Sequence, residues 1–381
     1  MKRMRVGVVG SGKISPFYLK NITERFHQLE VVCCASRNIA HARARAEEFG
    51  IRAVTVAQLL ADPTIEMVIV LTPVPAHYEL IKEALLAGKH VYSEKTVCEN
   101  VAQARELVAL AKEKDLYFGA APDTFLGAAW QKARQLIDQD AVGEVTSFRI
   151  SMNRNVDYAA SRFPFLRLRG GGTCYDMGGY YLTNLVNLLG PIQEVCAVVE
   201  NRKTVRTACY EGEPDYGQTF EYHNESQVSA IVRTCSGVTG TFHFNGESLS
   251  HNLHQYCIYG RKGILQLPDP NAFGGEVSIL REEGILETTE NELPYHQESR
   301  GVGPAEMADA IREGRKNRAS AALALHVLDV IESMMESSRR GGFVEVRSRC
   351  EQEYRHKSVP VDDQERCEGF KEQSAIFIHT C

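Results

Sequence analysis

No stretch of this sequence reaches the roughly 18 consecutive apolar residues of a membrane span, so no membrane partner is expected. No long block of Lys or Arg occurs either. The 43 basic residues are scattered and outnumbered by 49 acidic ones, a formal charge of −6. Binding a phosphate backbone needs a basic face, so nucleic acid is not an expected partner. The basic-then-apolar opening MKRMRVGVVG lacks an A-x-A cleavage site and runs straight into glycines, so it reads as a first strand rather than a secretory signal. The eleven cysteines include no C-x-x-C pair. Their odd count and irregular spacing, with Cys33 and Cys34 adjacent, point to reduced, mostly buried thiols and a cytoplasmic protein. No internal repeat is found.

What remains is ordinary globular composition, 44% hydrophobic and 24% charged over 381 residues, enough for two or three domains with real cores. Apolar strand-like runs at 4–10, 30–35, 53–56, 67–72, 90–95 and 116–121 alternate with helical periodicity near 14–27, 39–50, 57–62, 75–87 and 100–114. That alternation predicts a doubly wound parallel α/β sheet over residues 1–123, whose strand order the sequence does not give. After residue 124 the texture changes. One helix, 127–138, precedes the period-2 runs EVTSFRISMN, EVCAVVEN, SQVSAIVRTC, GVTGTFHFNG and QYCIYG, with the turn sequences GRKG and PDPNAFGG. Helices are expected at about 176–189, 304–314 and 320–339. Strands with segregated helices predict an α+β domain over 124–349, built on a large, mostly antiparallel open sheet. The charged stretch 350–381 lacks periodicity and reads as a tail.

The first strand leads into Gly10-Ser11-Gly12-Lys13-Ile14-Ser15, which fits G-x-G-x-x-[G/A/S] at the start of a helix. The first glycine makes the tight turn, and the second removes a side chain so that backbone N–H groups reach a pyrophosphate. The small third residue lets helix and strand pack closely. The helix N-terminus adds partial positive charge. An NAD site carries Asp or Glu at the end of the second strand for the ribose 2′-OH. Here Ala35-Ser36-Arg37-Asn38 stands there. A hydroxyl and a guanidinium suit a 2′-phosphate, so of NAD and NADP the sequence favours NADP.

Three further stretches, LTPVPAH (71–77), YSEKT (92–96) and CYDMGGYYLTNLVNLLG (174–190), complete a set of four ordered motifs. With the two-domain layout, the chain resembles the Gfo/Idh/MocA family over roughly residues 3–348, as do APDTFLG and the closing helix. The resemblance implies an NAD(P)-dependent oxidoreductase acting on sugars, sugar derivatives or cyclitols. It also implies a Rossmann domain and a C-terminal open sheet that makes homo-oligomer contacts. By motif, Thr72, Pro73 and His77 would line the nicotinamide side, Glu94 and Lys95 match the family's E-K-P, and Asp176 and Tyr180 match its D-x-x-x-H/Y. Thr96 stands where the family has proline, and Tyr180 where inositol-type members have histidine.

Oxidising a secondary alcohol requires a hydride acceptor, a proton acceptor and a charge to stabilise the developing alkoxide. Lys95 ends a strand on the ligand-binding side of the sheet, where burial is expected to lower its pKa. Asp176 and Tyr180, i and i+4, share one helix face just after Gly170-Gly171-Gly172. Lys95 and Tyr180 are the expected proton-transfer pair, with Asp176 orienting the substrate. Asp123, Asn153, Arg169 and Tyr181 are the expected substrate contacts; Arg154, Arg167 and Arg169 could face a substrate phosphate or carboxylate but read rather as solvated loop charges. Residues 155–172 should set specificity. His251 and His254 lie near strand-like sequence, where i and i+3 side chains diverge, and no metal site is expected. Cys98 and Cys174 read as small apolar fillers. Three functions fit these residues. The first is a dehydrogenase with exchangeable cofactor. The second is a retained-cofactor enzyme that oxidises glycoside C3, with glycosidase-like elimination or coupled oxidoreduction. The third is a silent dinucleotide-binding regulator, a reading that the presence of Lys95 opposes.

Overall fold

A computed structural model describes residues 3–249 and 253–350; His251 and the tail beyond 350 lie outside them. The first half alternates strands β1 (Met4–Val9), β2 (Leu29–Ala35), β3 (Arg52–Val54), β4 (Met67–Val70), β5 (His90–Ser93) and β6 (Phe118–Ala120) with helices. These helices are α1 (Ser15–Glu24), α2 (Ile39–Phe49), α3 (Val56–Ala61), α4 (His77–Leu86) and α5 (Val101–Glu113). Local chemistry sets their ends. Pro16 opens α1 where its missing N–H costs nothing. Asn38 and Asn100 cap α2 and α5 by accepting from Ala40 and Gln103, and Thr55 with Gln58 forms a capping box on α3. Gly50 stops α2 at φ 64°, in the left-handed region.

The six strands pair in parallel in the order β3-β2-β1-β4-β5-β6. Every residue of β4 is buried, as a strand covered on both faces requires. The winding reverses between β1 and β4, which opens a crevice at their C-terminal ends.

The second half comprises α6 (Ala128–Asp138), β7 (Val145–Asn153), α7 (Val156–Arg162), α8 (Gly179–Leu189), β8 (Ile192–Glu200), β9 (Val205–Thr207) and β10 (Thr219–Glu221). It continues through β11 (Gln227–Thr234), β12 (Thr239–Asn245), β13 (His254–Gly260), β14 (Gly263–Gln266), β15 (Ser278–Leu280) and β16 (Leu286–Thr288). Helices α9 (Val302–Glu313) and α10 (Ala321–Arg340) and the short β17 (Val344–Glu345) close it. Nine strands form one sheet, β16-β15-β14-β13-β7-β12-β11-β8-β17. All neighbours are antiparallel except β7 and β12, so the expected open antiparallel sheet carries one parallel pair. Its inner face packs on α6, α8 and α10 through residues such as Trp130, Leu185, Phe242 and Ile331. β17 covers only part of the outer edge of β8. The Ser337 and Ser338 hydroxyls of α10 accept the outer-edge N–H groups of Ala197 and Val199 at 2.8 and 2.9 Å, blunting that edge.

Two connections tie the halves together. Val302, Ala305, Met307 and Ala308 of α9 pack into the same cluster as Tyr18 and Ile22 of α1 and Ala42 and Ala46 of α2. The chain entering α10 runs along the edge of β6, with the Ala120 N–H donating to the Ala319 carbonyl at 3.0 Å. Gly119 permits this, because a Cβ there would sit 2.8 Å from that carbonyl oxygen.

The expected helix at 176–189 begins earlier, with a widened π-helical turn over Cys174–Gly178. Within 155–172, α7 forms where no helix was expected, capped by Asn155, which accepts from Tyr158 N. The three-residue strands β9, β10, β15 and β16 are too short to show alternation. The cysteines among the described residues form no disulfide. No helix among those residues is long and apolar enough to cross a membrane.

Candidate active site

The crevice floor is made by the glycine turn after β1 and the Leu71–His77 turn after β4. Gly10 has φ 114°, and a Cβ there would lie 2.7 Å from the Leu71 carbonyl. Close approach of the two turns therefore demands glycine. Gly12 differs: nothing lies within 4 Å of where its Cβ would be. Space is left open above the turn, as a pyrophosphate needs. Ser15 is buried and its hydroxyl donates to Gly12 O at 2.9 Å, which is the close helix packing expected of the third motif position. Ile14 caps α1 with its backbone. The Thr72 hydroxyl oxygen is buried without a hydrogen-bond partner, although a buried hydroxyl ordinarily has one. It sits on the turn expected at the nicotinamide side. An open cradle and an orphaned hydroxyl on facing turns fit a dinucleotide. Pro73 is exposed beside it. At the end of β2, Ser36 is half-buried, and Arg37 is exposed and makes no hydrogen bond or ion pair among the described residues.

His77 does not line the crevice freely. It is fully buried, and its two ring nitrogens face the carbonyls of Thr96 at 2.8 Å and Thr72 at 2.7 Å. The ring thus clamps the β4 turn to the turn after β5, and burial pushes its pKa down against the pull of those carbonyls. Glu94 is spoken for as well. It accepts from Tyr18 OH at 2.8 Å and from Lys95 N at 3.0 Å. The Lys95–Thr96 and Ala121–Pro122 peptides are cis.

Beyond β5 the two domains meet. Lys95 Nζ donates to Asp176 Oδ1 and to the Asp176 carbonyl, both at 2.5 Å. It also stands 5.0 Å from the centre of the Tyr180 ring, so Lys95, Asp176 and Tyr180 are brought together. Asp176 lies on the wide turn over Cys174–Gly178 and Tyr180 on the first turn of α8. Arg154, at the end of β7, binds the other carboxylate oxygen at 2.5 Å and is almost fully buried. Burial works to raise the pKa of Asp176, but Lys95 and Arg154 override it and hold the carboxyl well below the usual range. For Lys95, burial works to lower the pKa, and Asp176, Tyr180 and Glu94 reverse it. The lowered value expected from burial alone is thus corrected, because Asp176 stands opposite, and Lys95 stays an ammonium.

Several groups essential to this arrangement carried no motif. Glu225 accepts the Cys174 and Tyr175 N–H groups at 2.9 and 3.2 Å, capping the turn that carries Asp176. Burial pushes that carboxyl up to about 7 against those bonds. Arg300, before α9, reaches the Tyr180 phenol oxygen at 3.4 Å and Asn271 Oδ1 at 2.7 Å. Arg154 was legible only as a charge one residue past a strand, and Arg300 had no signal at all.

The structure gives the other expected contacts the following partners. Asp123 is buried and accepts the N–H groups of Gly301 and Gly303 at 3.3 and 3.0 Å, capping the N-terminus of α9. Burial pushes its carboxyl up to about 7. Tyr181 lies in the core, 4.8 Å from the Phe244 ring centre, because one step along α8 turns its side chain away from Tyr180. Asn153 closes β7 and donates its N–H to Leu253 O at 2.8 Å. Arg169 is exposed and lines a cavity of about 450 Å³ with Arg105, Tyr175, Glu332, Arg339 and Arg347, whose walls do not include Lys95, Asp176 or Tyr180. Arg167 pairs with Asp215 at 2.5 Å and covers the Phe220 ring at 3.9 Å. Cys98 and Cys174 are buried, which raises both thiol pKa values, Cys98 to about 12; neither is a poised nucleophile. Among the described residues no group of three or more His, Cys, Asp or Glu side chains is placed to hold a metal.

A strap from the second domain crosses the crevice. Lys13 Nζ, on the glycine turn, donates to Glu213 at 3.1 Å and to the Arg162 carbonyl at 3.4 Å, and lies 5.3 Å from the Phe163 ring centre. A Cβ on Gly170 would touch Val74 at 4.0 Å on the β4 turn. Residues 162–170 therefore span both turns that bound the switch point.

Fold and site together define a nucleotide-dependent oxidoreductase. Residues 4–121 match the oxidoreductase family with an NAD-binding Rossmann fold, and residues 130–266 match the GFO/IDH/MocA C-terminal domain. The chain belongs to the Gfo/Idh/MocA family. It is 25% identical to scyllo-inositol 2-dehydrogenase (NADP(+)) of Bacillus subtilis, over 74% of this chain and 79% of that protein. It is 27% identical to D-xylose 1-dehydrogenase (NADP(+)) of Hypocrea jecorina, over 75% of each. Levoglucosan dehydrogenase in complex with NADH and L-sorbose shares the fold, with a TM-score of 0.79 at 18% identity, covering 91% of this chain and 99% of that one.

Proposed function

We propose that this chain oxidises a ring hydroxyl of a sugar, glycoside or cyclitol, with NAD(P) as the hydride acceptor. The observation that carries this reading is the meeting of Lys95, Asp176 and Tyr180 at the carboxyl edge of the parallel sheet, with Lys95 Nζ 2.5 Å from Asp176. Bound in the crevice, the nicotinamide would take the hydride from the carbinol carbon. Tyr180, in its ionised form, accepts the hydroxyl proton and becomes the neutral phenol. Lys95, kept charged by Asp176, donates to the oxygen as negative charge develops there. Asp176 and Arg154 fix the direction of the ammonium and so orient the substrate. The inositol and xylose dehydrogenases named above support the substrate class. The exposed, unengaged Arg37 beside Ser36 supports NADP, since both groups can bind a 2′-phosphate. The open sheet face supports a homo-oligomer, because Val198 and Ile231 stand exposed there at 61% and 44%.

The strap favours a second reading, in which the dinucleotide is enclosed and retained through turnover. One experiment tests both. The protein is purified without added cofactor, its absorbance in the reduced-nicotinamide band is recorded, and any dinucleotide released by denaturation is identified by mass. Stoichiometric NADP(H) supports retention and the 2′-phosphate reading, whereas NAD(H) supports retention and removes that reading. An empty protein that then binds neither dinucleotide in a titration overturns the proposal.

A further inference from the structure

The contact to the Tyr180 phenol oxygen comes from Arg300, not from Lys95. Lys95 Nζ lies over the face of the ring, 5.0 Å from its centre, and donates to Asp176 Oδ1 and to the Asp176 carbonyl. Arg300 Nη2 approaches the phenol oxygen itself at 3.4 Å. The guanidinium is held for this task. The same nitrogen donates to Asn271 Oδ1 at 2.7 Å, and Nη1 pairs with the Glu298 carboxylate. Arg300 is 8% exposed, so its charge acts through a medium of low dielectric.

We propose that Arg300 is the positioning residue that fixes the phenol of Tyr180 and favours its ionised form. The inference rests on Tyr180 being the proton acceptor only for its catalytic meaning; the contact stands by itself. A charged donor on the oxygen stabilises a phenolate more than a phenol. Around the pair stand Lys95 and Glu94 at the end of β5, Asp176 on the turn before α8, and Arg154 at the end of β7. Asp123 stands after β6 and Glu298 before α9. The two cations nearest the phenol, Lys95 and Arg300, act from different directions, one on the ring face and one on the oxygen. Arginine suits the second position because its planar fork serves the phenol, Asn271 and Glu298 at once.

Tyrosinate difference absorbance of the full-length protein during an alkaline titration provides the test, and it needs no substrate. Wild type minus Tyr180→Phe isolates the Tyr180 transition. Arg300→Met should move that transition to higher pH by about one unit or more, and Arg300→Lys by less. Should Arg300→Met fail to fold, Asn271→Ala keeps both side chains, removes the anchor and should shift the transition in the same direction. A Tyr180 transition that stays put in Arg300→Lys and Asn271→Ala overturns the inference. A transition that shifts as expected in a protein that oxidises no sugar upholds the inference and sinks the proton-acceptor reading instead.

Discussion

Asp176 is the residue on which the site turns. It shares one carboxylate between Lys95 and Arg154, each at 2.5 Å, in a pocket where its side chain is 11% exposed. Replacing it by alanine leaves two buried cations facing each other, which costs roughly 3–5 kcal/mol by analogy with other broken buried pairs. Asp176→Ala should therefore lose stability in urea denaturation as well as activity, and an unchanged midpoint would refute the pairing. The sign with pH follows from its depressed value. The contribution is present above the ordinary carboxylate range and is lost as pH falls through the folded value. Sequence reasoning brought out Lys95, Asp176 and Tyr180 because they lie in motifs. It read Arg154 as a solvated loop charge and missed Arg300, because a lone arginine looks the same whether solvated or buried until the chain around it is placed.

At the scale of elements, the glycine turn separates two kinds of constraint. Gly10→Ala puts a methyl group 2.7 Å from the Leu71 carbonyl and forces a side chain onto φ 114°. It should lower the melting temperature. Gly12→Ala meets nothing within 4 Å. It should leave the melting temperature within a degree or two but weaken dinucleotide binding, because the methyl group occupies the cradle. Equal effects of the two variants on stability would contradict this division. The strand-turn-helix was legible in sequence, since tight turn, small residue and helix start are all local. The strap was not. Residues 155–172 read as featureless, and only the packing of α7 against the β9–β10 hairpin carries them across to Lys13 and Val74.

At the scale of the whole molecule, buried ionisable groups make stability depend on pH in opposing directions. His326 of α10 accepts the Ile192 N–H at 2.9 Å and faces Ser348 Oγ at 3.0 Å. Burial pushes its pKa from 6.5 down to about 4, against Asp329 and Ser348. Its contribution is complete above the unfolded value and is lost as pH falls toward the folded one, about 3 kcal/mol in all. Asp123 and Glu225, both raised to about 7, act the other way. Their contributions are complete below the ordinary carboxylate range and are lost as pH rises toward 7. Between pH 7 and 4.5, His326→Gln should therefore lose about 2–3 kcal/mol less than wild type in urea denaturation. Equal losses would show that His326 does not titrate as described.

The sequence by itself determined the two-part architecture, the dinucleotide turn and the Lys95-Asp176-Tyr180 set. The first two rest on short-range information: period-3.6 and period-2 patterning and turn residues; the third came through the motifs of the family the chain resembles. Only the tertiary structure decided the sheet order β3-β2-β1-β4-β5-β6, the return of α9 to the first domain, and the partners of the candidate site's side chains. Asp123 shows why. Its position after β6 was plain, yet its carboxylate caps a helix that begins 179 residues later, at Val302. What a buried charge does is fixed by what faces it, and in this fold the facing group comes from far along the chain.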